Sequence, residues 1–77
     1  MKNYYLETYI NGKNILGSDY TKVLKSINSK ALNNTVKIQT NILKGLENIK
    51  PYIKDSNSIV LKVIDSNNKE LKQFIIK

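Results

Sequence analysis

Residues 4–10, YYLETYI, alternate along an extended chain. Tyr4, Leu6, Thr8 and Ile10 fall on one side, and Tyr5, Glu7 and Tyr9 on the other. The next pair, Asn11-Gly12, is a strong hairpin signal, because both positions of a tight type I′ turn need positive φ. The pattern therefore predicts a first hairpin whose return strand is Lys13–Leu16, with Ile10 opposite Lys13 and Thr8 opposite Ile15. Its Tyr4/Leu6/Ile10 side is the core side.

Gly17 interrupts the strand pattern, and Ser18 or Asp19 supplies a cap for a following helix. Tyr20, Val23, Leu24, Ile27 and Ala31 then recur at helical spacing, with Lys22, Lys25 and Ser29 pointing away. Residues 35–39 read as a short strand, with Val36 and Ile38 inward and Lys37 outward, since β-branched residues are concentrated there. A helical reading competes, because Ile38, Ile42, Leu46, Ile49 and Ile53 also share one helical face. A second helix is expected over roughly residues 41–50, weakened by Gly45 and stopped or bent by Pro51.

The final stretch, SIVLKVIDSNNKELKQFIIK, is apolar on both sides of what reads as a second hairpin turning at Asn67–Asn68. A tight turn there sets Ile59 opposite Ile76, Leu61 opposite Phe74 and Val60 opposite Ile75. One side then carries Ile59, Leu61, Val63, Phe74 and Ile76. The other carries Val60, Ile64, Leu71 and Ile75 around Lys62 and Gln73. Burying each of these aliphatic side chains is worth about 1.5–3 kcal/mol, so a second apolar side invites a cover. Three covers compete: helices on both faces of one sheet, a second copy or another protein, or plain tolerance of exposed apolar groups. Lys62 and Gln73 at the centre fit a wet interface better than a dry core, with the Lys62 stem lying along the patch.

The fold class expected is therefore α+β: one small basic domain over residues 1–77, ordered hairpin, helix, short strand, helix, hairpin. Its sheet is mixed or antiparallel, with one or both faces covered by helices. Seventy-seven residues support one modest core. Cysteine and histidine are both absent, which removes disulfides, thiolate metal sites and the commonest general base and metal ligand. No apolar run reaches the roughly 20 residues needed to span a bilayer, and the N-terminal residues lack a continuous apolar signal region, so a cytoplasmic protein without membrane contact is expected.

The formal charge of +7 raises nucleic acid as a partner. Every basic residue is Lys, however, and Lys, Asn and Ile together make up 35 of the 77 residues, a mixture that AT-rich coding produces on its own. Lys22, Lys25 and Lys30 are the nucleic-acid-contact candidates, suited to phosphates and not to rigid bidentate base recognition. Tyr5 and Tyr9 resemble a single-strand stacking platform, but Glu7 stands between them. Neither a catalytic constellation nor a phosphate loop can be assembled, and Asp65 and Glu70 flank the last turn without the oxygen-ligand spacing of a cation loop.

The expectation is a non-catalytic protein-interaction or inhibitory module, without cofactor or metal. AT-rich coding and small size point to a bacterial or mobile-element origin, such as an accessory protein of a phage or plasmid. It would bind a partner protein, or itself as a homodimer, through the hairpin face or an edge strand. The interface candidates are Val60, Lys62, Ile64, Leu71, Gln73, Ile75, Tyr5 and Tyr9. The alternative is a lysine-dependent DNA or RNA binder of weak sequence specificity.

Overall fold

A computed structural model describes residues 3–77. Along them the chain forms β1 (Tyr4–Ile10), a 3-10 turn (Ser18–Tyr20), β2 (Lys22–Leu24), α1 (Ser29–Gly45), a second 3-10 turn (Glu47–Ile49), α2 (Lys50–Lys54), β3 (Ile59–Asp65) and β4 (Glu70–Ile75). The four strands make one antiparallel sheet in the order β2-β1-β3-β4. The architecture is the expected α+β class, with strand pairs at both ends of the chain and the helices between them.

The Asn11-Gly12 turn forms as its residues demand, with φ of 52° and 80°. Ile10 and Lys13 exchange backbone hydrogen bonds of 2.9 and 3.1 Å across it. The return strand expected at Lys13–Leu16 does not continue past that single bridge. The chain leaves the sheet over residues 14–21 and rejoins the same edge of β1 as β2, with Lys22 opposite Leu6 and Leu24 opposite Tyr4. Gly17 makes the detour possible, since its φ of 72° with ψ of −165° is a conformation open to glycine alone. Asn11 also ties the turn to β3: its amide donates to the Ser58 carbonyl, and its Oδ1 accepts from the amides of Asn57 and Ser58.

The helix expected from Tyr20 to Ala31 is corrected. Only one 3-10 turn forms after Gly17, and Thr21 already has extended torsions. The backbone groups of Tyr4–Leu6 need a partner on that edge, and β-branched Thr21 and Val23 suit the extended chain that supplies it. The cap is Asn28, not Ser18 or Asp19; its Oδ1 accepts from the Ala31 amide at 2.9 Å and starts α1.

The short strand expected at residues 35–39 is likewise absent, because those residues lie inside α1. Thr35 and Thr40 donate their hydroxyls back to the carbonyls of Ala31 and Val36, so neither β-branched polar group is left wanting in the helix. The helix expected over residues 41–50 ends at Gly45 instead, followed by an extended Leu46. Pro51 opens α2, where the first turn needs no amide hydrogen, rather than closing a helix.

Leu6, Leu24, Leu61 and Val63 from the sheet form one buried cluster with Leu32 and Leu43 of α1 and with Ile49, while Val36 and Ile53 pack against it. Both α-helices therefore cover the same face of the sheet. The C-terminal hairpin takes the expected register, Leu61 opposite Phe74 and Val60 opposite Ile75, and Asn68 adopts φ of 63° in its turn. β4 is irregular at both ends. Val63 pairs with Lys72 but Ile64 with Glu70, leaving Leu71 as an extra residue. The Ile59 carbonyl then accepts from both Ile76 and Lys77 amides, a second bulge.

Two polar residues, Thr8 and Gln39, sit deep in this core. Gln39 is fully buried; its Nε2 donates to the Tyr20 carbonyl at 2.9 Å and lies 3.5 Å from Thr8 Oγ1. Its Oε1 has no partner among the described residues. The amide thus clamps the 14–21 detour to α1 while leaving an acceptor unpaired, and unpaired acceptors cost about 1–3 kcal/mol. Gln39→Ala, which loses both packing and clamp, is expected to destabilise by roughly 2–4 kcal/mol. Gln39→Leu, which keeps the volume and removes the orphan acceptor, should lose less than half of that, as read from urea unfolding midpoints.

Candidate functional site

Strand alternation assigns the uncovered face of the sheet. Leu6, Thr8 and Ile10 are buried under the helices, so Tyr5, Glu7 and Tyr9 face the other way. The same rule places Val60, Lys62 and Ile64 of β3, Gln73 and Ile75 of β4, and Val23 of β2 on that open face. Cross-strand pairing sets Tyr9, Val60 and Ile75 in one row and Glu7, Lys62 and Gln73 in the next. Tyr5, Ile64 and Glu70 form the third. Tyr5, Tyr9, Val60, Lys62, Ile64, Gln73 and Ile75, all interface candidates named from sequence, are thereby brought to this face; Leu71, the remaining one, is the extra residue of the bulge and is exposed.

The face is unevenly covered. Ile64 is only 9% exposed, while Ile75 is 73% and Val23 59% exposed. Its centre is a hydrogen-bonded and charged cluster. Tyr9 lies back along its own strand and donates its hydroxyl to Glu7 Oε1 at 2.7 Å. Asn14 Nδ2 lies 3.4 Å from the other Glu7 oxygen. The Lys62 ammonium sits 4.5 Å from the centroid of the Tyr9 ring and 3.4 Å from Glu70 Oε1. Each contact is modest at this exposure, about 0.5–1 kcal/mol for the cation–π pair and 0–1 for the ion pair. Together they hold Tyr9 against Glu7 with the Lys62 ammonium over its ring. Two carboxylates against one ammonium leave this centre slightly negative on a chain of +7.

That geometry disfavours base stacking at Tyr9. A base needs a free aromatic face, and the one Tyr9 offers is taken by Lys62 beside two carboxylates that repel phosphate. The nucleic-acid-contact candidates are also redistributed. Lys22 lies in β2, Lys25 just beyond it, and only Lys30 is on a helix, in the first turn of α1. Lys22 and Lys25 were expected on an outward helical face; the edge pairing of Tyr4–Leu6 put them on an extended chain instead.

Asp65 and Glu70 are each already engaged. Asp65 Oδ1 accepts from the amides of Asn67 and Lys69 and so shapes the turn, while Glu70 reaches Lys62. Among the described residues no cluster of three or more potential metal-ligating side chains occurs, and no helix is long and apolar enough to cross a membrane. Sequence reasoning missed two members of the face. Glu70 reads as a turn residue until the bulge brings it opposite Ile64, and Val23 reads as helical core until β2 is seen as a strand. Comparison with protein-family models, with curated proteins and with solved structures finds no match to this chain.

The Glu7 carboxylate, burial and the Glu70 charge all raise the pKa of the Tyr9 phenol, the hydrogen bond from its hydroxyl to Glu7 most of all. A raised folded-state value means that folding favours the protonated phenol. The resulting stabilisation is present in full below about pH 10, the ordinary tyrosine value, and is lost as pH rises through the folded value. Titration of tyrosinate absorbance should show a step above the ordinary tyrosine value. Tyr9→Phe should delete that late step, and Glu7→Gln should move it back toward the ordinary value.

Proposed function

We propose that this protein is a non-catalytic interaction module that associates with a second copy of itself through the open face of its sheet. The observation that supports the reading is one-sided coverage: both α-helices pack on the Leu6/Leu61/Val63 side, leaving Tyr5, Tyr9, Val60 and Ile75 on a face that neither α1 nor α2 covers.

Charge favours a face over other surfaces. Two chains of +7 repel through their lysine-rich sides, and the slightly negative centre at Glu7, Lys62 and Glu70 is where approach costs least. A two-fold partner also offers Lys62 to the other copy's Glu7, so the mixed-sign pattern is self-complementary. The lysines on the far side of the helices are more than the roughly 8 Å Debye length away at physiological salt, and their repulsion is screened.

Sheet extension is the weaker route. β2 is three residues long, and β4 is bulged at both ends, which blunts an edge as a template. The footprint of the face is about 400 Å² from strand length and spacing, smaller than the roughly 800 Å² per partner of standard interfaces. The dimer is therefore reversible and concentration-dependent rather than obligate.

Sedimentation equilibrium over a wide concentration range tests this. The wild type should shift from monomer to dimer as concentration rises, and more readily at physiological salt than at low salt, where the +7 repulsion is not yet screened. Val60→Lys and Ile75→Lys should each hold the protein monomeric while leaving its unfolding midpoint within about 0.5 kcal/mol of wild type. A wild type that stays monomeric throughout, or dimerises equally well with both lysines in place, would overturn the reading.

A further inference from the structure

The opposite side of the molecule carries a different pattern. On α1, Lys30, Asn34, Lys37, Asn41 and Lys44 follow one another at intervals of four and three residues, and all five are exposed. At about 100° per residue they fall within an arc of roughly 80°. That arc lies on the far side of the helix from Leu32, Val36, Gln39 and Leu43, the residues α1 turns to the core. The stripe runs about 21 Å along the outermost ridge of the protein.

We infer that this stripe is a binding surface for double-stranded DNA, with Lys30, Lys37 and Lys44 on phosphates and Asn34 and Asn41 between them. The inference is independent of the open-face reading, since it uses the other side of the fold. AT-rich coding raises lysine and asparagine everywhere in the chain, but it does not line them up along a helix. A merely solvated helical face mixes signs and gains from Glu–Lys pairs four residues apart, and α1 has no acidic residue anywhere in its length. Asparagine is a poor helix former, so Asn34 and Asn41 cost the exposed ridge stability that lysine or glutamine would not. Both amides remain available as paired donors and acceptors, the chemistry that meets an adenine edge.

The choice of duplex DNA follows from what α1 lacks. It has no aromatic residue for stacking, so single strands gain only charge from it. Most of its apolar side is spent on the core, and Ile38 is the one large apolar side chain it exposes, too little to insert among lipids as an interfacial helix does. An exposed helix about 10–12 Å across matches the roughly 12 Å major groove of B-DNA, whereas the A-form groove is too narrow to admit it.

Fluorescence anisotropy with a labelled duplex of mixed sequence, titrated at several salt concentrations, tests the assignment. The triple change Lys30→Ala, Lys37→Ala, Lys44→Ala should weaken binding on the order of a hundredfold at low salt and reduce the log–log salt slope by roughly 0.9 per lysine removed. Asn34→Ala with Asn41→Ala should leave that slope unchanged, because no charge is lost. The equal-charge control Lys13→Ala, Lys69→Ala, Lys77→Ala should keep most of the affinity. Circular dichroism and unfolding midpoints check that each variant is folded. Equal losses in the two lysine triples would overturn the inference, leaving bulk charge alone. So would tighter binding to a single strand, to duplex RNA or to phosphatidylserine vesicles than to duplex DNA.

Discussion

The long-range pairing of β1 with β3 is the constraint on which the remaining structure depends. Seven residue pairs, Tyr4 with Asp65 through Ile10 with Ile59, join strands from the two ends of the chain. They bring Leu6, Leu61 and Val63 side by side, all fully buried. Each such side chain contributes about 1.5–3 kcal/mol on burial, a large fraction of the stability of so small a domain. The pairing is non-local, so it must be held at its ends. Asn11 does this at one end, accepting from the amides of Asn57 and Ser58 just before β3. Once β1 and β3 lie together at the centre, β2 and β4 can only be edges, and one helical layer suffices to cover the apolar side.

Apart from the return strand expected at Lys13–Leu16, both ends of the chain were legible in the sequence, because strand alternation and turn chemistry are local. Tyr4–Ile10, the Asn11-Gly12 turn and the register of Leu61 with Phe74 follow from period-two patterning and from residues that tolerate positive φ. The middle was not legible, because there tertiary demand overrode local preference. Thr35, Val36 and Ile38 favour a strand, yet they sit in α1, where Val36 meets the core and Ile38 stays about half exposed. The residue that takes the central buried position is Gln39, and no hydropathy pattern points to a glutamine for that place. Residues 20–24 misled in the opposite sense. Tyr20, Val23 and Leu24 have helical spacing, but the unpaired edge of β1 needed an extended partner and took them.

The open face shows the same division. That the C-terminal hairpin would be apolar on both sides, with Lys62 and Gln73 in the middle, is written in its alternation. The cluster that organises the face is not, because it depends on two events at a distance. The bulge at Leu71 brings Glu70 opposite Ile64, and Tyr9 folds back along its strand to Glu7. Lys62 then finds both a ring and a carboxylate within reach. With one of the two tyrosine rings beneath an ammonium and two carboxylates beside it, the face carries charges of both signs. The basic stripe of α1 was hidden for a simpler reason. Lys30 through Lys44 share a ridge only if residues 29–45 form a single helix, and a strand placed at residues 35–39 cuts that ridge in two.

The two surfaces differ in electrical character because the fold sorts its few acidic residues. Glu7 and Glu70 stand on the sheet face, Glu47 is paired with Lys50 beyond the end of α1, and α1 itself carries lysines alone. Between the two faces lie the sheet, the apolar layer around Leu61 and Leu32, and the thickness of a helix that is about 10–12 Å across. That separation exceeds the roughly 8 Å over which exposed charges act at physiological salt. Neutralising the stripe therefore changes little at Lys62, and covering Ile75 changes little at Lys37. A single thin core thus keeps an apolar, nearly neutral face and a cationic ridge apart, and each can be occupied without the other.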